Sequence, residues 1–245
     1  RPILDTKGKT KTILSYHHFS LTPDNLESVY EIMTETPADI LKIITYAKDI
    51  ADNIAVFKLL ARARKDHRPL ISFCMGDMGE ISRILSPLLG GFLTFGSLRM
   101  GKESAPGQIP AYTLKNVYRV DAERPGFKIY GVIGNPVSKS MGYLIHNRAF
   151  TETGLPHIYL PFWVMSVPRF FSMFEPYFEG LSVTMPHKEK IMPLLNRIDE
   201  TAWKIGAVNT VVRENGHWVG YNTVCSGAMK SLEARCALRG KDALI

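Results

Sequence analysis

Two lysines stand where strand-forming sequence meets something it cannot absorb. Ser182-Val183-Thr184-Met185-Pro186-His187-Lys188 runs β-branched residues into a proline. Proline has no N–H to give a ladder, so the strand ends there and leaves Lys188 at the junction with the helix-like segment 189–195. Ligands of α/β sheets gather outside the carboxyl ends of the strands, so this lysine, with the Thr184 hydroxyl four residues earlier, suits a small polar substrate. A surface lysine after an ordinary strand is the other reading. Lys42 lies inside Asp39-Ile40-Leu41-Lys42-Ile43-Ile44. Burial in a strand covered on both faces disfavours its charge and frees the amine as a nucleophile, which is what Schiff-base chemistry needs. An edge-strand lysine whose stem snorkels to water fits the same residues. Ser15-Tyr16-His17-His18-Phe19 adds an imidazole, Ser82-Arg83 a fork for a carboxylate, and Ser104-Ala105-Pro106-Gly107-Gln108 a polar loop.

The elements that must position these groups are read from periodicity and punctuation. Residues 12–16, 39–46, 69–75 and 92–96 read as strands, and 23–35, 49–64, 80–85 and 110–118 as helices. Four βα units in succession predict a parallel sheet with right-handed crossovers. Every polar candidate in this half then lies on a strand or just past its C-terminal end, the catalytic face of a βα barrel. Residues 121–127 read as a linker between a first unit, 1–120, and a second, 128–245. In the second unit, 128–133, 157–163, 207–213 and 217–221 read as strands, with a turn at Asn215-Gly216. Residues 141–153, 189–195, 199–204 and 226–238 read as helices.

The composition excludes some classes. The chain has 245 residues, 45% hydrophobic and 22% charged, as in an ordinary globular protein. No run of about 18 apolar residues suggests a membrane helix, and Arg1-Pro2-Ile3-Leu4-Asp5 does not begin a signal peptide. Cys74, Cys225 and Cys236 form neither a metal-ligand spacing nor an even disulfide framework, so no metal is expected. A reducing, cytoplasmic setting is expected, or a plastid in a plant. The formal charge of +7 is scattered apart from Lys7, Lys9 and Lys11, so nucleic acid is not the expected partner.

The first half resembles the C-terminal half of type I 3-dehydroquinate dehydratase. The matching pieces are Ser15 to Phe19, the Lys42 strand, Ile81-Ser82-Arg83, Thr94-Phe95-Gly96 and Ser104 to Gln108, in order across residues 12–118. The resemblance implies a partial (β/α) barrel in which Lys42 forms an imine with the ketone of 3-dehydroquinate. His17 would be the general base and acid, and His18 would face outward. Arg83 would hold the substrate carboxylate, with Ser104 and Gln108 closing over it, and no cofactor is implied. A closed βα barrel needs twice as many strands, so two open edges would remain, with room for self-association.

The second half resembles the substrate-binding domain of shikimate dehydrogenase over residues 128–238. Gly131 to Pro136, His146 to Phe150, Ser182 to Lys188, Ile205 to Thr210 and Gly220 to Thr223 carry the match. By that likeness Lys188 is catalytic, Thr184 and Asn209 bind ring hydroxyls, and Ser140 holds the carboxylate of 3-dehydroshikimate or shikimate. Three positions depart from the pattern. Gly142 stands for a second serine, Lys139 for a histidine, and Val224 for the aspartate that pairs with the lysine. The resemblance implies NADP, yet no Gly-x-Gly-x-x-Gly turn is present, so the nucleotide domain is expected to be missing. Together the halves resemble the bifunctional shikimate-pathway enzyme of plants and some bacteria. The competing expectation is a truncated or degenerate chain retaining at most substrate binding or an interaction role.

Overall fold

The computed structural model describes residues 8–137 and 140–237. Lys139 and the residues beyond 237 lie outside the described residues.

The first half builds β1 (Ile13–His17), β2 (Ile40–Tyr46) and β3 (Leu70–Met75), parallel and in that order. The register aligns Ser15 with Lys42 and Ile71, and His17 with Ile44 and Phe73. Facing residues in a parallel ladder point to the same side, so His17, Ser15 and Lys42 share one face. The opposite face is covered by the crossover helices α1 (Leu26–Thr34), α2 (Asn53–Lys65) and α3 (Glu80–Leu88). Leu41, Ile43, Leu70 and Cys74 meet Leu26, Tyr30, Leu59 and Leu60 there. A short 3-10 turn, Ile50–Asp52, precedes α2, and Asp49 and Asp52 form a capping box around it. Arg62, Arg64 and Lys65 occupy the last turn of α2, where cations offset the helix dipole.

The fourth strand expected over residues 92–96 does not form. Phe92 donates its N–H to Leu70 at 2.8 Å, but Ser97 then turns to Ile109 and Ala111, leaving one bridge between Ser97 and Pro110. With no outer strand to pair against, the segment gains a ladder on one side at most and crosses the end of β3 instead. The helix α4 (Ala111–Asn116) closes this half.

The second half is a six-stranded mixed sheet in the order β5-β4-β6-β8-β9-β7. Its strands are β4 (Ile129–Gly134), β5 (Ile158–Trp163), β6 (Phe178–Val183), β7 (Arg197–Ile198), β8 (Thr210–Glu214) and β9 (His217–Tyr221). β4, β5 and β6 run parallel, while β8 lies antiparallel to β6 and β9. The β8–β9 hairpin turns at Asn215 (φ 50) and Gly216 (φ 82), as the primed two-residue turn demands. The helices are α5 (Gly142–Glu152), α6 (Val167–Phe174), α7 (Glu200–Ile205) and α8 (Thr223–Glu233). The helix expected over 189–195 is reduced to turns and one 3-10 turn, Met192–Leu194. Pro193 supplies no N–H where a helix starting at Glu189 would need one.

The two halves share a core. Ile54, Phe57, Ile81 and Leu85 pack in one cluster with Phe170, Phe174 and Phe178. Phe57 meets the edge of Phe174 at 6.4 Å and Tyr177 at 5.8 Å, and Asp49 pairs with Arg169 at 3.3 Å. Within residues 121–127, Arg124 donates to the carbonyls of Tyr118 and His157 at 2.6 and 2.9 Å. No helix among the described residues is long and apolar enough to cross a membrane.

Candidate active sites

Lys42 sits in the middle of β2 and is half-buried, less enclosed than a strand covered on both faces would make it. β1 is the reason: its Ile13, Ser15 and His17 are exposed along the face that carries the lysine. The Lys42 ammonium lies 4.7 Å from the Phe95 ring centroid, within cation–π range. His17 stacks on Phe19 at 5.6 Å. Its pKa is held below the usual imidazole value, first by partial burial and then by the positive charge of Lys42. A neutral imidazole beside an amine is the pairing that proton abstraction next to an imine requires. His18 turns into the following loop, where its Nδ1 takes the N–H of Leu21 at 3.2 Å.

Arg83 is 1% exposed. Its guanidinium lies 4.4 Å from the Phe73 centroid and donates to the Pro106 carbonyl at 3.0 Å. Its Nε has no partner, and burial pulls its pKa down to about 10. The polar loop is therefore laid against Arg83 through its backbone. Gly76 also donates to Pro106 at 3.2 Å, and a Cβ on Gly107 (φ 72) would fall 2.2 Å from the Gly76 carbonyl oxygen. Ser104 and Gln108 engage each other: the Ser104 N–H and hydroxyl reach Oε1 of Gln108 at 2.8 and 3.3 Å.

In the second half Lys188 is half-buried beyond β6. Val208 gives its N–H to the Lys188 carbonyl at 3.0 Å, and Val183 gives its N–H to the Asn209 carbonyl at 2.8 Å. These bonds bring Thr184, Lys188 and Asn209 to one sheet end. The Asn209 side chain is oriented unambiguously, because the Thr223 N–H at 2.9 Å can only donate and so faces Oδ1. The Thr210 hydroxyl reaches the same oxygen at 3.0 Å. The Asn209 amide NH2 has no hydrogen-bond partner among the described residues. Thr184 packs its methyl against Gly134, where a Cβ would come within 2.6 Å. Ser140 precedes α5 and accepts the N–H of Gly142 at 3.3 Å. A Cβ on Gly142, where the family pattern has a second serine, would sit 3.3 Å from Tyr159 and 3.4 Å from the Ser140 oxygen, so a side chain here is crowded by both. Val224 is 58% exposed in the first turn of α8, next to the threonine bonded to Asn209.

Three residues acquire a place that their sequence context does not assign. Phe95 underlies the amine of Lys42, although in the chain it is visible only as part of a matching tripeptide. Tyr159 reaches Ser182 and walls the Ser140 side. Glu80 stands one helical turn before Arg83, a spacing readable in the sequence. Its pKa is pushed up to about 7 by burial, then by Asp77, against the pull of Arg83. Glu80 lines a cavity of about 620 Å³ between the halves, together with Gln108, Tyr118, Ser140 and Tyr143.

Residues 3–125 match the family model for type I 3-dehydroquinase, and residues 132–211 match that for the shikimate dehydrogenase substrate binding domain. The chain is 38% identical over 231 residues to the bifunctional 3-dehydroquinate dehydratase/shikimate dehydrogenase, chloroplastic, of Arabidopsis thaliana, covering 92% of this chain and 38% of that protein. It is 34% identical over 230 residues to the shikimate biosynthesis protein AroDE of Chlamydia pneumoniae, covering 93% and 47%. Against the pentafunctional AROM polypeptide of Zygosaccharomyces rouxii it is 36% identical over 242 residues, covering 94% and 15%. The chain thus spans less than half the length of each of these relatives. With half of its residues matched by the first model and the second following directly, the chain belongs to the type I 3-dehydroquinase family, joined to a shikimate dehydrogenase substrate binding domain.

Proposed function

We propose that this chain is the central part of a bifunctional shikimate-pathway enzyme, residues 1–120 serving dehydration and residues 128–245 binding the product, joined through 121–127. In the first half the Lys42 amine attacks the ketone of 3-dehydroquinate and loses water to form an iminium. His17 takes a proton from the carbon beside it, the iminium holds the electron pair, and the β-hydroxyl leaves as water with the proton His17 returns. Water then hydrolyses the iminium, freeing 3-dehydroshikimate and Lys42. Arg83 is read as the group that holds the substrate carboxylate, with Ser104 and Gln108 on the loop laid against it through the Pro106 carbonyl. The observation that carries the reading is the convergence of Lys42 and His17 on one face, with the lysine's charge felt by the imidazole. Borohydride reduction in the presence of 3-dehydroquinate tests it: an adduct located on Lys42 by mass spectrometry supports the reading, and its absence refutes it.

The second half is read as the cup for 3-dehydroshikimate and shikimate, with Lys188 at the reacting hydroxyl, Thr184 and Asn209 on ring hydroxyls and Ser140 on the carboxylate. NADP would supply the hydride when bound. The described residues offer no glycine-rich strand-to-helix turn for its pyrophosphate, so no step here runs through it. Val224 favours a narrower reading of this half, in which it binds the cyclic acid but lacks the carboxylate that would exchange a proton with Lys188. Supplying a nucleotide-binding domain together with Val224→Asp tests this, since reduction should appear with aspartate and stay weak with valine. The free thiols of Cys74, Cys225 and Cys236 support a reducing compartment, cytoplasm or plastid. The edge of β1, unpaired among the described residues, supports self-association.

A further inference from the structure

Resting on the shikimate reading of the second half, we propose that His187 is a positioning residue whose imidazole moors the loop presenting Lys188 to the end of β5. Nothing in the Lys188 chemistry itself calls for a second nitrogen base beside it, yet His187 is 1% exposed. Its Nε2 lies 2.7 Å from the Val164 carbonyl oxygen. A carbonyl can only accept, so Nε2 carries the hydrogen and the ring is either neutral or doubly protonated. Its Nδ1 is buried with no partner, which fits the neutral ring. Burial, the main cause, holds its pKa below the usual value, with Val164 opposing and Lys190 assisting.

The bond matters because of what it joins. Val164 is itself tied to β4, giving its N–H to Gly134 at 3.0 Å. Thr184 donates to Ile133 and Asn135 to Met185, so the near end of the loop is fixed to β4 by backbone. Its far end is fixed to the segment leading into β8 through Lys188 and Val208. Between those moorings the tie to β5 is made by a side chain, and the lysine is the next residue. Ile191 then returns its N–H to the His187 carbonyl at 3.0 Å, closing the turn over the ring. The histidine therefore sets the height of Lys188 above the sheet end without touching a ligand in the cup.

The test compares His187→Gln, which can keep an N–H aimed at Val164, with His187→Phe, which fills the space and cannot donate. Amide hydrogen exchange over residues 184–191 and shikimate affinity by calorimetry are read for the chain and both variants. Phenylalanine is expected to speed exchange in this segment about tenfold or more and to weaken shikimate about tenfold, because displacing a reacting group by a fraction of an ångström forfeits its contact. Glutamine is expected to stay within about threefold of the parent in both. Unchanged exchange and affinity in the phenylalanine variant would overturn the proposal. So would equal losses in both variants that track an equal fall in melting temperature, which is what a purely structural role predicts. If the parent chain does not bind shikimate, the functional reading fails by itself, and the exchange comparison still decides whether His187 moors the loop.

Discussion

Val208 and Lys188 are joined by a 3.0 Å backbone hydrogen bond that ties the loop after β6 to the strand beyond it. Because Asn209 follows Val208, the bond carries both proposed ligand-binding side chains at once: whatever moves the lysine moves the amide. A cup assembled this way depends on backbone ties between neighbouring strand ends, and substitutions that cut those ties should act on binding and stability in separable ways.

Asn209 separates them most cleanly. Asn209→Leu removes the oxygen that accepts from the Thr223 N–H and the Thr210 hydroxyl, losing two part-buried hydrogen bonds worth about 1 kcal/mol each. Asn209→Asp keeps that oxygen and removes the NH2. Thermal denaturation should place leucine well below the parent and aspartate near it, while calorimetry should find shikimate binding lost in both.

Lys42→Met should abolish the borohydride-trapped adduct. It should also raise the His17 pKa part of the way toward 6.5, because the lysine charge goes and partial burial stays. An imidazole titration followed by NMR checks this. For His17 the folded-state pKa lies below its unfolded value, so its contribution to stability is present above about pH 6.5 and is lost as pH falls through the lowered pKa. The methionine variant should lose less over that window.

Gly107→Ala should detach the polar loop. The new Cβ would meet the Gly76 carbonyl at 2.2 Å, and the residue's φ of 72 already costs a non-glycine side chain about 1–2 kcal/mol. Melting temperature should fall, and protease cleavage near residues 104–108 should quicken as Pro106 leaves Arg83.

Glu80 gives a pH signature of opposite sign. Its folded pKa of about 7 stands above the ordinary 4.5, so its contribution is fully present below about pH 4.5 and fades as pH rises through about 7. Each pKa unit is worth about 1.4 kcal/mol when fully expressed, and Glu80 keeps an edge on the cavity, so the expected loss is on the order of 1–3 kcal/mol. Glu80→Gln should flatten that decline in denaturant titrations at pH 5 and pH 8.

Much of this is legible in the chain itself. β2, β3, β5 and β9 lie within a residue of where apolar runs and turn residues put them, because a strand buried on its flanks has little choice. The Asn215-Gly216 turn is readable for the same local reason. The segment at 92–96 misleads because strand propensity is spent only when a partner lies alongside, and partners are not written in local sequence. The helix expected at 189–195 comes from weighing apolar spacing above Pro193. At the sites, residue types and order point to Lys42, His17 and Lys188. Hidden from the sequence are contacts made across the sheet ends, such as Phe95 under the amine and His187 on Val164, which arise from distant segments meeting.

Phe57 resting against Phe174 and Tyr177 has a consequence for how the molecule fails. A core that spans the boundary cannot surrender one half while the other stays intact, so warming should yield a single cooperative melt. Damage to either half should then shorten the folded lifetime of both together.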